Sequence, residues 1–310
     1  MGTVKAVCIS EKRGTLKKPV DCGNFIVNYG IEHDAHAGDW HRQVSLLGDE
    51  KIQEFKKLGP QVVYGAFGEN LVVEGLDFRH LPVGTLLRCG DVLLEMTQIG
   101  KECHTHCAIY HQVGDCIMPR EGVFARVLEG GIIRPGDQME IEQRTGKRPY
   151  QAAVITLSDR CAAGEREDKS GPAIAERLRT EGYEVIERLI LPDGIDPLKT
   201  ELARLADQRH PDLILTTGGT GLAARDLTPE ATVAVMERDV PGIAEAIRAY
   251  SMQFTRRAMF SRGRSVVRGN TLIINLPGSP KAVLESMDAF LRELPHAMDL
   301  LRSEVVDCAR

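Results

Sequence analysis

Near residue 143 the sequence changes its period, and this constrains the fold more than any other feature. Before that point short β-type runs follow closely on one another, at residues 4–9, 25–29, 70–74, 85–89, 92–96 and 131–134. Gly, Pro and Asp punctuate them, and only residues 49–58, stopped by Gly59-Pro60, read as a helix. Short strands at this density predict a small, mostly-β barrel. After that point strand and helix alternate. Apolar strand-like runs at 152–157, 184–191, 212–216 and 271–275 are separated by helical stretches at 173–180, 196–206, 229–237 and 241–254, and a last helix follows at 281–293. That order predicts a layered α/β domain with a largely parallel sheet. Residues 143–149, Gln-Arg-Thr-Gly-Lys-Arg-Pro, have no period and read as a linker. The expected division is residues 1–143, a spacer at 144–150, and residues 151–310.

Composition excludes several classes. The 310 residues carry a net charge of -5, only 5% aromatics and one tryptophan, Trp40. That argues against nucleic-acid binding by bulk charge or base stacking. There is no apolar run of about 18 residues for a membrane span, and the N-terminal residues do not read as a signal peptide. A cytoplasmic protein is expected. Six of the eight cysteines fall before residue 120, and in that compartment they read as thiols, metal ligands or catalysts rather than disulfides.

In a parallel α/β sheet, ligands bind at the carboxyl ends of strands. Three strand ends carry unusual loops. One contains Ser158 and Asp159 and runs on to Asp168–Gly171. The second is Thr216-Thr217-Gly218-Gly219-Thr220-Gly221. The third holds Asn275, Pro277, Gly278 and Ser279. Glycines after a strand let backbone N–H groups approach an anion such as a phosphate or a pterin, although no Walker Gly-Lys-Ser/Thr follows. A tight turn without function is the plain alternative. Asp226 lies five residues past the glycine loop, and Asp193 ends another strand-like run. Singly they read as a helix cap and a turn aspartate, but Thr228 is the more natural cap. Together they suit Mg²⁺ holding for phosphoryl or nucleotidyl transfer. Arg256, Arg257, Arg262, Arg264 and Arg268 form a basic run with no acid between them. It reads either as a solvated face or as the wall of an anionic substrate pocket, with Arg262 the first candidate.

The first half holds a dense constellation: Cys103, His104, His106, Cys107, His111 and Cys116. Its spacing is neither the paired C-x2-C of zinc fingers nor a ferredoxin run. A metal site, inert buried thiols, and reactive or soft-metal-binding thiols all stay open. His33, Asp34, His36, Asp39 and His41 form a second group, read either as surface polarity or as a holder of an anion or metal.

The four ordered segments Leu157-Ser-Asp-Arg, Thr216-Thr-Gly-Gly-Thr-Gly, Arg225-Asp-Leu-Thr-Pro-Glu-Ala and Asn275-Leu-Pro-Gly-Ser-Pro-Lys-Ala resemble the molybdopterin adenylyltransferase (MogA/MoaB-like) family over about residues 150–305. The resemblance implies a three-layer α/β fold, commonly trimeric, that transfers AMP from Mg-ATP to the terminal phosphate of molybdopterin. By position it assigns the family's two important aspartates to Asp193 and Asp226. Its pterin- and nucleotide-binding loops fall on Ser158-Asp159, Thr216–Gly221 and Asn275–Ser279.

In the first half, Asp34-Ala-His36-Ala-Gly38-Asp39, Gly65-Ala-Phe67-Gly-Glu69-Asn-Leu, Gly100-Lys-Glu-Cys103 and Gly122-Val-Phe-Ala-Arg126, with Pro135-Gly-Asp137, look like a MOSC domain over roughly residues 4–142. That is the β-barrel module of molybdenum cofactor sulfurases. The resemblance implies a cysteine that handles sulfur or coordinates the cofactor metal, matched by Cys103. Cys107 and Cys116 depart from the single-cysteine pattern. The combined expectation is a fusion in molybdenum or tungsten cofactor biosynthesis. Its second domain adenylylates molybdopterin, and its first binds, carries or sulfurates the cofactor. Expected partners are an identical chain, as a trimer, a molybdenum-insertion protein and acceptor molybdoenzymes, with no nucleic acid and no membrane. The competing readings are a non-catalytic cofactor carrier or store and, for the first half, a zinc- or iron-sulfur-stabilised structural module.

Overall fold

The computed structural model describes residues 1–57, 62–101 and 116–302, and the chain divides into two compact units, Met1–Arg148 and Pro149–Arg310. In the first unit the strands are β1 (Gly2–Ile9), β2 (Lys18–Val20), β3 (Gly23–Ile26), β4 (Gly30–Ile31), β5 (Val44–Gly48), β6 (Leu71–Glu74), β7 (Leu86–Cys89), β8 (Val92–Ile99), β9 (Val123–Glu129), β10 (Gly131–Ile133) and β11 (Gln138–Glu142). Seven of them, in the order β11-β7-β8-β9-β5-β6-β1, close into a barrel where β11 pairs with β1. Closure leaves none of the seven with an unpaired edge. Alternation fills the interior. On β11, Met139 is fully buried between the exposed Gln138 and Glu140, as period 2 requires. Val4, Leu46, Leu71, Leu87, Leu94 and Val127 pack in the same core.

Two local expectations shift. The strand expected at 25–29 ends at Ile26, because Asn28 adopts a left-handed φ of 55° and the Tyr29 N–H donates back to the Ile26 carbonyl at 3.1 Å. The spacer expected at 144–150 is anchored at both ends. Arg144 pairs with Glu95 of the barrel, and Tyr150 donates to the Pro295 carbonyl of the second unit at 3.1 Å.

The second unit contains β12 (Gln151–Leu157), β13 (Glu184–Leu191), β14 (Leu213–Thr217), β15 (Arg238–Asp239), β16 (Ser265–Arg268) and β17 (Thr271–Leu276), in the order β13-β12-β14-β17-β16-β15. The first four run parallel, whereas β16 pairs antiparallel with β17 and β15 antiparallel with β16. The sheet is therefore mixed, not largely parallel as the sequence suggested. The cause is local. Arg268 pairs with Thr271, so only Gly269 and Asn270 join β16 to β17, and Gly269 has φ 56°. A two-residue turn closes a hairpin and cannot make a parallel crossover.

Helices cover both faces of the sheet. Val154, Leu215 and Ile274 pack with Ile174, Leu178, Val283 and Met287 on one side. Ile155, Ile214 and Ile273 pack with Leu198, Leu202, Ala231 and Val235 on the other. This explains why all seven residues of β12 are buried, the signature of a strand covered on both faces. Truncating a central side chain such as Leu215 to Ala should cost about 2–5 kcal/mol.

Candidate active site

Because β13, β12, β14 and β17 are parallel and in register, Leu191, Leu157, Thr217 and Leu276 end at one edge of the sheet. The loops that leave them are tied together by main-chain and hydroxyl bonds. The Ser158 N–H donates to the Leu191 carbonyl at 2.9 Å. Its hydroxyl oxygen caps the short helix Asp159–Ala162 by accepting from the Cys161 N–H at 3.3 Å, and it also accepts from Arg166 at 3.2 Å. Asp159 and Asp193 exchange bonds. The Asp159 N–H donates to Asp193 Oδ2 at 3.3 Å, and the Asp193 N–H donates to Asp159 Oδ1 at 3.0 Å. Asp168 Oδ1 accepts the N–H groups of Ser170 and Gly171, each at 3.0 Å, where the helix Ser170–Thr180 begins.

The glycine loop is compressed against these segments. Gly218 has φ 103°, and a Cβ there would lie 2.4 Å from the Leu157 carbonyl oxygen. Gly219 has φ 62°, and a Cβ there would lie 2.4 Å from Thr228 Oγ1 and 3.6 Å from Asp193 Oδ1. Only glycine fits such crowded left-handed positions. Gly278 backs onto Gly218, since a Cβ on Gly278 would lie 3.3 Å from its Cα. The Thr217 hydroxyl closes the third side by donating to the Pro277 carbonyl at 2.6 Å.

The loops enclose a cavity of about 880 Å³. Asp193 sits in its wall, half-buried. Burial and the neighbouring charges of Asp159 and Asp226 push its carboxyl above the usual range, against the pull of Arg225 and of the Asp159 N–H. Four cations also line the cavity: Arg160, Arg166, Lys169 and Arg225. None was singled out from the sequence. Arg160 and Arg225 stand directly beside Asp159 and Asp226 in the strand-end loops, and that adjacency was the available signal.

Of the residues expected at the site, the structure gathers Ser158, Asp159, Asp193, Thr217, Gly218, Gly219, Asp226, Gly278 and Ser279 around this cavity. Five lie outside its lining. Asn275 is buried, donating to Thr216 and Thr232 at 2.9 Å each and accepting from the Arg264 N–H at 3.1 Å. Pro277 offers its carbonyl to Thr217. Thr220, Gly221 and Arg262 are bound to one another behind the loop: the Arg262 N–H donates to the Thr220 carbonyl at 2.9 Å and Arg262 Nε to the Gly221 carbonyl at 2.7 Å. Arg262 therefore faces a different hollow, with Arg248 and Arg264. The arginine run is not one wall either, because Arg268 pairs with Asp207. Among the described residues, no group of three or more His, Cys, Asp or Glu is placed to hold a metal ion by itself.

In the first unit, Cys103 and Cys107 lie outside the described residues. Cys116 is buried in a core cluster with Phe55, Phe67 and Phe124. His36 borders a cavity of about 500 Å³ that also presents Trp40, Arg42, Lys101 and Phe124. Below it Lys17 Nζ holds both Asp34 oxygens at 2.6 Å, with both side chains almost fully buried. The same ammonium lies 3.4 Å from His36 Nδ1. Lys offers only donors, so Nδ1 acts there as the acceptor. Burial and Lys17 together hold His36 below its usual range. Glu69 accepts from the Gly65 and Phe67 N–H groups at 2.7 and 3.0 Å, and burial pushes its carboxyl up to about 7. The buried Cys8 thiol is pushed up to about 12. Lys17, Glu69 and Cys8 were not foreseen as a group, because they are brought together only by the pairing of β1 with β2 and β6.

A three-layer α/β domain with a glycine loop, paired carboxylates and four cations at one strand-end cleft is of a class suited to phosphorylated ligands. Comparison with known proteins narrows this. A family model described as a probable molybdopterin binding domain matches residues 153–296, and a MOSC domain model matches residues 33–140. The chain is 39% identical over 150 residues to the molybdopterin adenylyltransferase of Helicobacter pylori (strain ATCC 700392 / 26695), covering 48% of this chain and 85% of that one. It is 37% identical over 171 residues to the molybdopterin adenylyltransferase of Escherichia coli (strain K12), covering 50% and 87%. It is 40% identical over 153 residues to the molybdenum cofactor synthesis protein cinnamon of Drosophila melanogaster, covering 49% of this chain but 26% of that longer protein. The chain belongs to the molybdopterin adenylyltransferase family, and its first unit carries a MOSC domain.

Proposed function

We propose that the second unit transfers AMP from Mg-ATP to the terminal phosphate of molybdopterin, releasing pyrophosphate. The observation that carries this reading is the convergence of Asp193 and Asp226 on the Gly218-Gly219 loop, in a cavity also lined by Arg160, Arg166, Lys169 and Arg225. An oxygen of the molybdopterin phosphate attacks the α-phosphorus. The new P–O bond forms as the bond to the bridging oxygen breaks, and pyrophosphate leaves with that electron pair. The substrate is itself the nucleophile, so the protein needs no activated serine or cysteine. Its task is to position two polyanions and offset their charge. The glycine loop allows close backbone approach. Ser279, the N-cap of the helix Pro280–Asp288, keeps its hydroxyl proton beside the cavity while its oxygen accepts from the Ala282 N–H at 3.2 Å. The cations supply the opposite charge.

Asp193 and Asp226 are oxygen donors, too few to hold a cation alone. That suits Mg²⁺, which is commonly bound through one or two carboxylates with substrate phosphates completing its shell. Its chemistry there is to neutralise phosphate charge, and it would also relieve the repulsion that Asp159 and Asp226 exert on Asp193.

The first unit, on this reading, binds, carries or sulfurates the cofactor, with Cys103 as the sulfur or metal contact and Cys107, Cys116 and His36 as further candidates for that role. Fusion keeps the product of the second unit at a high local concentration for the first. The protein works in the cytoplasm as a homotrimer formed through its second unit, and it hands the product to a molybdenum-insertion protein and acceptor molybdoenzymes. The test is to incubate the full chain with Mg-ATP and molybdopterin and identify the products by mass spectrometry. Adenylylated molybdopterin with equimolar pyrophosphate is expected. Bound but unchanged pterin would favour the carrier reading and overturn this one.

A further inference from the structure

We infer that Arg262 is a positioning residue for adenylyl transfer, acting on Asp226 from outside the cavity by fixing both ends of the loop that carries it. The inference rests on the activity proposed above. The loop 220–226 is closed on itself. Asp226 Oδ2 accepts from the Ala223 N–H at 2.9 Å, and the Asp226 N–H donates to the Ala223 carbonyl at 2.9 Å. A Cβ on Gly221 would stand 2.7 Å from Asp226 Oδ2, so the carboxylate lies folded against the start of its own loop. Thr228 holds the base of the loop, its hydroxyl donating to the Gly218 carbonyl at 2.9 Å and its N–H to the Gly219 carbonyl at 3.2 Å, but these bonds do not reach residues 220–226. Arg262 reaches them three times. Its main-chain N–H donates to the Thr220 carbonyl at 2.9 Å, its Nε to the Gly221 carbonyl at 2.7 Å, and its terminal nitrogen to the Asp226 carbonyl. The other terminal nitrogen pairs with Glu230, on the helix Thr228–Ala234 that the loop enters.

One planar guanidinium therefore spans Gly221 near the start of the turn, its last residue Asp226 and the helix beyond, while the bond to Thr220 comes from the main chain. Only a fork of fixed donors does this, and a lysine ammonium has no second arm at that spacing. The Arg262–Glu230 pair is a third exposed on each side, so as an ion pair it is screened by water and adds little stability. Its significance is geometric. Arg262 does not line the cavity that holds Asp193 and Asp226, so it meets substrate only through the loop. The sequence reading of Arg262 as a substrate contact and this reading predict different kinetics.

The experiment compares wild type, Arg262→Ala, Arg262→Lys and Glu230→Gln in the full chain. Hydrogen exchange without substrate is read at the amides of residues 219–226 and at β14. Steady-state kinetics are then read for each substrate and for Mg²⁺. Positioning predicts faster exchange in 219–226 with β14 unchanged. It also predicts a loss of about 10²-fold in kcat, as for a catalytic group displaced by an ångström. The Mg²⁺ requirement should rise and the KM for molybdopterin should stay near wild type. Arg262→Lys should not rescue, and Glu230→Gln should give a smaller change in the same direction. A rise in the KM for molybdopterin with unchanged loop exchange would overturn the inference in favour of direct substrate contact. So would full rescue by Arg262→Lys, or wild-type loop exchange and wild-type kcat in Arg262→Ala. A wild-type chain that makes no adenylylated product refutes the proposed activity instead, while the exchange arm still decides whether Arg262 holds the loop.

Discussion

The two units place their polar chemistry in opposite ways. In the second unit, Asp159, Asp193 and Asp226 sit in loops at strand ends beside open space. In the first, Lys17, Asp34, Glu69 and Cys8 are buried, with Lys17 and Asp34 almost wholly shielded from water. A parallel α/β sheet delivers every strand end to one edge, so its site assembles from the residue that follows each apolar run. A closed barrel has no such common edge, and its polar cluster joins residues whose sequence positions carry no shared signature. Ionisable groups in the barrel should therefore govern stability, and those at the strand ends should govern turnover.

Trp40, the single tryptophan, lies in the barrel and gives a private signal for that unit. Lys17→Met leaves the Asp34 carboxylate buried without its partner, and this should cost the barrel about 3–5 kcal/mol. Urea unfolding followed by Trp40 fluorescence measures it, while adenylyl turnover by the second unit should not change. A comparable loss of turnover would break the contrast between the units.

Glu69 gives the next effect. Its folded carboxyl is raised by burial from 4.5 to about 7, so between those values the folded state binds more protons than the unfolded state. Stability from this group is therefore present at low pH and lost as pH rises through that window, by on the order of 3 kcal/mol. Glu69→Gln keeps an acceptor for only one of the Gly65 and Phe67 N–H groups, a cost independent of pH, and cannot ionise. The gap between variant and wild type in Trp40-monitored stability should grow in favour of the variant up to pH 8. Parallel pH curves would show that Glu69 ionises freely.

The smallest effect belongs to Asp168, which caps Ser170 and Gly171. Asp168→Ala should remove about 0.5–2 kcal/mol from the second unit, seen as a lower second calorimetric transition with the Trp40 transition unmoved. A shift of both transitions would mean that the units do not unfold independently.

How much of this was legible follows the same division. The glycine loop and Asp193 could be named from sequence because each closely follows an apolar strand, where chemistry in such a sheet must sit, and Asp226 because it lies in the same strand-to-helix connection as the glycine loop. The hairpin at Gly269-Asn270 was missed because β16 lay hidden in what read as one arginine run. That run serves three local purposes: Arg262 ties a loop, the Arg264 N–H meets Asn275, and Arg268 meets Asp207. Asn275 read as a ligand contact because its neighbours Gly278 and Ser279 border the cavity, but as a residue of β17 it has its side chain turned into the packed layer. In the barrel, the density of short strand-like runs predicted a barrel, yet β5 and β9 escaped notice; five consecutive residues of β5 are buried and show no period.

The central claim is that the strand-end carboxylates of the second unit serve adenylyl transfer. Pyrophosphate release from Mg-ATP in the presence of molybdopterin, compared between wild type and Asp226→Asn, tests it most directly. Asparagine preserves the volume and one oxygen for the Ala223 N–H, so the fold and the Trp40 signal should be unchanged. Loss of one of the two carboxylates proposed to hold Mg²⁺ should lower turnover about 10²–10³-fold. An Asp226→Asn chain that releases pyrophosphate at the wild-type rate would contradict the account.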